Sequence, residues 1–187
     1  MKNLCMRAAL GALLLAPAAA FAVIPGQWTG PFVGGQVGVN FNSSDTTSSE
    51  RAFTANIFGG YELQLSDHFT VGGDLFYEWN NKKDHTIKNC LGPCTVNYGS
   101  NVYGVDGLVG FPVGTDGAIK PFVKVGYGRV KGTGDLSGNE WDVRYGAGVE
   151  FRSTASNIGF IVQYMYQKFG NDNFKNSNLT VGVTYHF

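Results

Sequence analysis

Leu179-Thr-Val-Gly-Val-Thr-Tyr-His-Phe187 is the stretch on which the reading of this chain turns. Taking every second residue gives Leu179, Val181, Val183, Tyr185 and Phe187, all apolar, with Thr180, Gly182, Thr184 and His186 between them. Strict period-2 alternation predicts a strand with one apolar and one polar face. A soluble sandwich and a membrane barrel both alternate in this way. They differ in which face is turned inward.

Working back from the C-terminus, seven further runs show the same pattern. They are Phe32 to Phe41, Phe53 to Leu65, Phe69 to Trp79, Asn101 to Phe111, Ile119 to Arg129, Trp141 to Phe151 and Ile158 to Tyr166. Each has roughly the ~9–11 residues that a tilted membrane strand requires. Pro121 lacks the N–H a paired strand needs, which predicts a bulge or a strand start there. The connections at residues 66–68, 112–118 and 153–156 are short. Those at 42–52, 80–100, 131–140 and 170–177 are longer and rich in Asn, Ser, Asp, Lys and Gly. Short turns on one side and long polar loops on the other are the two ends of an up-and-down barrel.

The charges choose between water and membrane. Ten lie on the polar parity of the runs: Glu62, Asp74, Glu78, Asp106, Lys120, Lys124, Asp142, Arg144, Glu150 and Arg152. On the apolar parity stand only Arg129 and Lys168, both beside long loops. A Lys or Arg facing hydrocarbon costs about 2–4 kcal/mol at the midplane and little at the interface, so this distribution fits lipid outside and ion pairs inside. The aromatics sort by height as well. Phe41, Phe53, Tyr77, Trp79, Tyr103, Tyr127, Trp141, Tyr145, Tyr164 and Tyr166 fall near one rim; Tyr61, Phe69, Phe111, Phe151, Phe160, Tyr185 and Phe187 fall near the other. Two aromatic belts around an aliphatic band suit membrane interfaces. The expected fold is an all-β, eight-stranded antiparallel transmembrane β-barrel.

The N-terminus reads as an export signal: Lys2 and Arg7, an apolar core from Ala8 to Leu15, and a small-x-small site at Ala20-Phe21-Ala22. Residues 1–22 are therefore expected to be a signal peptide, removing Cys5, with the barrel domain at 23–187. Removing Lys2 and Arg7 takes the 14 basic residues to 12 against 14 acidic ones, a net charge of −2. That is no basic field for nucleic acid. The remaining chain has no apolar stretch of ~20 residues, so a transmembrane helix is excluded and a closed barrel is the other membrane solution. Cys90 and Cys94 form an even pair in an exported chain, expected to be a disulfide. A metal site with His85 would have too few ligands.

The terminal strand resembles that of bacterial outer-membrane barrels, and with Gly30-Pro-Phe-Val-Gly-Gly-Gln-Val-Gly38 near the start the whole mature chain is similar to the OmpA/OmpX-like, opacity-type family of small eight-stranded barrels. The resemblance implies insertion in the outer membrane, contact with lipopolysaccharide, and recognition of Tyr185 and Phe187 by the barrel-assembly machinery. Because the sequence ends at the barrel, the peptidoglycan-binding domain of longer relatives is expected to be missing.

An eight-stranded barrel is just wide enough for side chains to fill. The inward parity also carries Phe58, Phe76, Phe122, Gln36, Gln64, Gln163, Met165 and many glycines. Six acids and four bases enclosed together should pair, because an unpaired buried charge is expensive. The expected role is a monomeric, non-enzymatic structural and surface protein without cofactor or metal, its loops contacting host or surface ligands. The alternative is a narrow porin-like channel opened by rearranging Arg144 or Lys124. A lipid-modifying enzyme is more distant, since none of His68, His85 and His186 sits with a Ser and an acid in a way that suggests a triad.

Overall fold

The computed structural model describes residues 27–43, 50–86, 95–114, 118–134, 139–152, 155–169 and 174–187. Eight strands follow one another: β1 (Gly30–Ser43), β2 (Glu50–Ser66), β3 (Phe69–Thr86), β4 (Thr95–Gly110), β5 (Ile119–Gly134), β6 (Asn139–Arg152), β7 (Ile158–Phe169) and β8 (Phe174–His186). Each pairs antiparallel with its neighbour in the chain, and β1 pairs with β8 to close the barrel. Closure leaves no edge strand, so every backbone polar group in the wall can be met within the sheet.

The strands are longer than the apolar alternation. β3 continues from Trp79 to Thr86 and β4 begins at Thr95, which shortens the connection expected over 80–100 to residues 87–94. β5 likewise runs on to Gly134, and β8 begins at Phe174. A backbone ladder needs only N–H and C=O groups. Alternation is forced only where one face meets hydrocarbon, and above that level both faces are wet. A register shift lies at this transition in β3, where Asn80 stands opposite Ser100 but Lys83 opposite Tyr98, one extra residue on β3. Residues 1–22 and the Cys90–Cys94 pair lie outside the described residues.

Pro121 is the third residue of β5, and no register shift occurs there. Its carbonyl accepts from Phe111 N–H at 2.8 Å, just beyond the last ladder pair, Gly110 with Phe122. A strand residue's N and O point to the same neighbour, so the missing N–H removes only a terminal bond on the β4 side. The strand-start alternative applies, not the bulge.

Burial is inverted relative to a water-soluble protein. Leu75 is 61% exposed, Val125 60% and Phe160 63%, while Glu62, Glu78, Asp106, Lys120, Lys124 and Arg144 are all buried. Valines, leucines and isoleucines coat the outer wall, which requires hydrocarbon around it rather than water.

Candidate functional site

The interior is organised in layers along the barrel axis. At the short-turn end, Lys120 on β5 places Nζ 2.6 Å from Glu62 Oε2 on β2 and 3.0 Å from Glu150 Oε2 on β6. Glu150 Oε1 also meets His186 Nε2 at 2.7 Å and accepts from the Thr184 hydroxyl, both on β8. The segment before β1 closes this end. Gly30 has φ +142°, a conformation that disfavours side chains, and a Cβ there would meet the Phe187 carbonyl oxygen at 3.0 Å. The turn there carries Trp28 into the mouth, where it is completely buried. Its ring lies 3.9 Å from Lys120 Nζ and 4.4 Å from the Arg152 guanidinium, with His186 edge-on at 5.4 Å. Gln64 fastens the segment at both ends: its Oε1 accepts from Trp28 N–H at 3.3 Å, and its own N–H donates to Thr29 Oγ1 at 3.0 Å.

Above this layer Phe32, Phe58, Phe76, Val102, Leu108, Phe122 and Ile161 form one buried apolar cluster. Lys124 borders it, 2.6 Å from Asp74 Oδ2 and 5.0 Å from the Phe58 ring. Further out, Arg144 Nε lies 3.2 Å from Asp106 Oδ1, and its guanidinium stacks 3.7 Å from the Phe76 ring. Its Nη1 stands 3.8 Å from Glu78 Oε2. Each of the buried cations Lys120, Lys124 and Arg144 is thus held between a carboxylate and an aromatic face, which offsets part of its desolvation. An amide network tops the stack: Asn80 and Asn178 donate to Glu78 at 3.0 and 2.9 Å, and Asn40 donates to both Asn80 and Asn176 at 2.8 and 2.6 Å.

The other two sequence-selected charges lie at the two ends of this stack. Asp142 is half-buried at the outer end, its Oδ1 accepting from Val143 N–H at 2.7 Å. Arg152 is buried against Trp28. Trp28 and the Asn40, Asn80, Asn176 and Asn178 network were not singled out by sequence. Trp28 shares the even parity of Phe32, Gln36 and Asn40, so carrying the alternation back past Gly30 finds it. Uncharged amides at inward positions give no such pairing signal.

The interior leaves little open space near its outer polar layer. A hollow among Glu78, Arg144, Met165, Gln167 and Asn178 measures about 10 Å³, close to the room of one water. The catalytic reading is disfavoured by the same contacts. Thr184 and His186 both engage a single Glu150 oxygen beneath Trp28, so the imidazole does not stand between hydroxyl and acid as a nucleophile relay requires. Among the described residues no group of three His, Cys, Asp or Glu side chains is arranged to hold a metal ion.

With this architecture established, the chain can be set against known proteins. The family profile described as outer membrane protein beta-barrel domain matches residues 8–187. The chain belongs to that family. This outer-membrane barrel resembles the solved structure of Neisserial surface protein A, with a TM-score of 0.61 and 18% identity over 85% of this chain and 98% of that one. It is similar as well to Ail, the attachment invasion locus protein of Yersinia pestis (TM-score 0.56, 15% identity, covering 85% and 99%). The outer membrane protein OprG from Pseudomonas aeruginosa aligns with a TM-score of 0.58 and 13% identity, covering 87% and 98%. At these identities the likeness is one of fold. No curated protein matches the chain by sequence. The outer-membrane barrel therefore sits in the bacterial outer membrane, its apolar wall in contact with the bilayer.

Proposed function

We propose that this barrel is a non-conducting, non-enzymatic monomer that anchors extracellular loops and contributes to envelope integrity and surface interaction. The observation that carries the reading is the filled lumen: seven apolar side chains form one buried cluster inside the barrel alongside the buried ion pairs of Lys120 and Arg144, with Trp28 buried in the short-turn mouth. Ions crossing it would have to displace packed aromatic rings, and interiors packed to that density do not open without rearrangement. Export after removal of residues 1–22, insertion guided by Tyr185 and Phe187, and a Cys90–Cys94 bridge stiffening the second loop complete the proposal. Host or surface ligands and lipopolysaccharide are the partners it calls for at the outer face.

The narrow-channel alternative places a gate at Arg144 and Lys124, whose cations would swing among Asp74, Glu78 and Asp106. Planar-bilayer recording on the refolded chain separates the two. The expected result is a silent bilayer; discrete conductance steps that vanish in Arg144→Ala would replace this reading by the channel. For the surface role, deleting residues 87–94 is expected to reduce cell binding, and unchanged binding would remove the second loop from the proposal.

A further inference from the structure

The buried charges of the lumen do not balance. Among the described residues five carboxyl groups are buried, those of Glu62, Asp74, Glu78, Asp106 and Glu150, against four basic side chains, Lys120, Lys124, Arg144 and Arg152. The short-turn layer is even without His186: Glu62 and Glu150 face Lys120, and Arg152 shares the Trp28 ring with that lysine. The surplus acid therefore belongs to the outer polar layer, where Asp74, Glu78 and Asp106 have only Lys124 and Arg144 among them. An uncompensated charge in such a place is expensive, and a carboxyl group avoids the cost by keeping its proton.

Register and hydrogen bonding identify the group. Asp74 on β3 and Asp106 on β4 are direct partners in the ladder, and both are buried on the inward face. Residues so paired carry Cβ atoms about 4.5–5.5 Å apart, and like charges placed opposite each other repel. Glu78 accepts from the Asn80 and Asn178 side-chain amides at 3.0 and 2.9 Å, and Asp74 Oδ2 accepts from Lys124 Nζ at 2.6 Å. Donors of this kind favour the ionised carboxylate. Among the described residues Asp106 has one cation within ion-pair distance, Arg144 Nε at 3.2 Å, and it shares Arg144 with Glu78, 3.8 Å from Nη1. That contact is not aligned as a hydrogen bond, for neither Arg144 Nε nor Asp106 Oδ1 has a hydrogen-bond partner among the described residues. Asp74 Oδ1 is likewise buried with no donor among them. Gly126, opposite Asp106 on β5, has no side chain, and the Asp106 carboxyl lies over it.

We propose that the lumen holds one bound proton, carried by Asp106 and donated to Asp74 Oδ1 across the β3–β4 pair. With Asp106 neutral, two carboxylates face the two cations Lys124 and Arg144, and the layer is even. The proton gives Asp74 Oδ1 the donor it lacks and leaves the Arg144 guanidinium to compensate Glu78. Its loss would set two anions opposite each other in the ladder, with one guanidinium divided between Asp106 and Glu78. The outer polar layer is therefore held together by a hydrogen ion as well as by its ion pairs. The site is independent of what the loops bind and of whether the lumen conducts.

Infrared spectroscopy of the full barrel folded in vesicles at neutral pH reads the proton directly, because a protonated carboxyl has a carbonyl stretch separate from those of carboxylates and amides. The expected result is such a band, shifting when aspartate, and not glutamate, carries a heavy carbon isotope in its carboxyl group. It should vanish in Asp106→Asn and persist in Asp142→Asn, whose side chain is half-buried at the outer end. The isotope arm needs no variant, so it stands even where Asp106→Asn fails to fold. Urea unfolding supplies a second readout. Asp106→Asn keeps the shape and neutrality of the protonated group, and its amide can donate to Asp74, so the midpoint should be unchanged. An ionised Asp106 paired with Arg144 would instead require a fall of about 1–2 M, the cost of breaking a buried pair. Absence of the band, a band that follows glutamate or survives Asp106→Asn, or a midpoint loss of that size would each overturn the proposal.

Discussion

Replacing Lys120 by Met probes the layer on which the short-turn end of the barrel depends. Lys120 is completely buried, with Glu62 at 2.6 Å, Glu150 at 3.0 Å and the Trp28 face at 3.9 Å. Methionine keeps the length of the stem but leaves two carboxylates close together with no lysine between them. Breaking a buried ion pair by removing one partner costs about 3–5 kcal/mol, because the partner left behind is an uncompensated buried charge. With a urea slope near ~2–3 kcal/mol per molar, the unfolding midpoint should fall by about 1–2 M. Equilibrium unfolding in phosphatidylcholine vesicles, followed by tryptophan emission and by gel migration, measures it. Adding Glu62→Gln and Glu150→Gln to Lys120→Met should recover most of the loss, since amides are cheaper to bury than unpaired carboxylates. A loss below about 1 kcal/mol for Lys120→Met alone would mean that water reaches Glu62 and Glu150, and the picture of a dry, stoppered mouth would fail.

Three further outcomes follow from the same layers. Leu75→Arg places a guanidinium at an outward midplane position and should cost about 2–4 kcal/mol in vesicle unfolding, whereas Tyr127→Arg at the rim should cost about 0–1; equal costs would contradict the assignment of the outer wall. Trp28→Ala should destabilise by about 3–5 kcal/mol. Combined with Lys120→Met it should be clearly less than additive, because the two side chains share one contact; strict additivity in a double-mutant cycle would argue against Trp28 as the cover of that lysine. Phe58→Ala/Phe122→Ala empties the part of the apolar cluster that Lys124 faces, and bilayer recording should then show small conductance steps absent from the parent; continued silence would place the barrier elsewhere.

What could be read from the chain depended on whether the physics leaves a periodic trace. The outer wall does: hydrocarbon tolerates no charge, so Val181, Val183 and Tyr185 alternate with Thr180, Gly182 and Thr184, and eight such runs declare both strand number and facing. Strand ends above the membrane leave no such trace, which is why β3 and β4 extend to Thr86 and Thr95 unannounced. Inward parity identifies Lys124 and Asp74 as enclosed but not as partners. That pairing arises because β3 and β5 are brought within reach across the lumen, a consequence of closure rather than of spacing. Trp28 precedes the first strand, beyond the glycine that redirects the chain, and so falls outside a search organised by runs.

The enclosed charges also bear on how this fold is chosen over its alternatives. A buried ion pair is weak evidence for stability, because apolar residues of similar volume often do as well or better. Its effect on register is a different matter. Side chains alternate with a period of two, so sliding one strand by a single residue exchanges its two faces. For β6 that would turn Arg144, Glu150 and Arg152 toward lipid and bring Tyr145 and Val149 into a lumen already occupied by Phe122 and Met165. Each charge turned outward costs up to about 2–4 kcal/mol depending on its depth, so the correct register is favoured over its nearest competitors by the sum of these penalties. On this argument Asp74→Leu/Lys124→Met should leave equilibrium stability within about 2 kcal/mol of the parent, since the pair is replaced rather than broken. The folding yield into vesicles should nevertheless fall, with more chain trapped in forms whose gel migration does not change on boiling. A double variant that folds with the parent's yield would mean that register is set by the outer face and the turns alone.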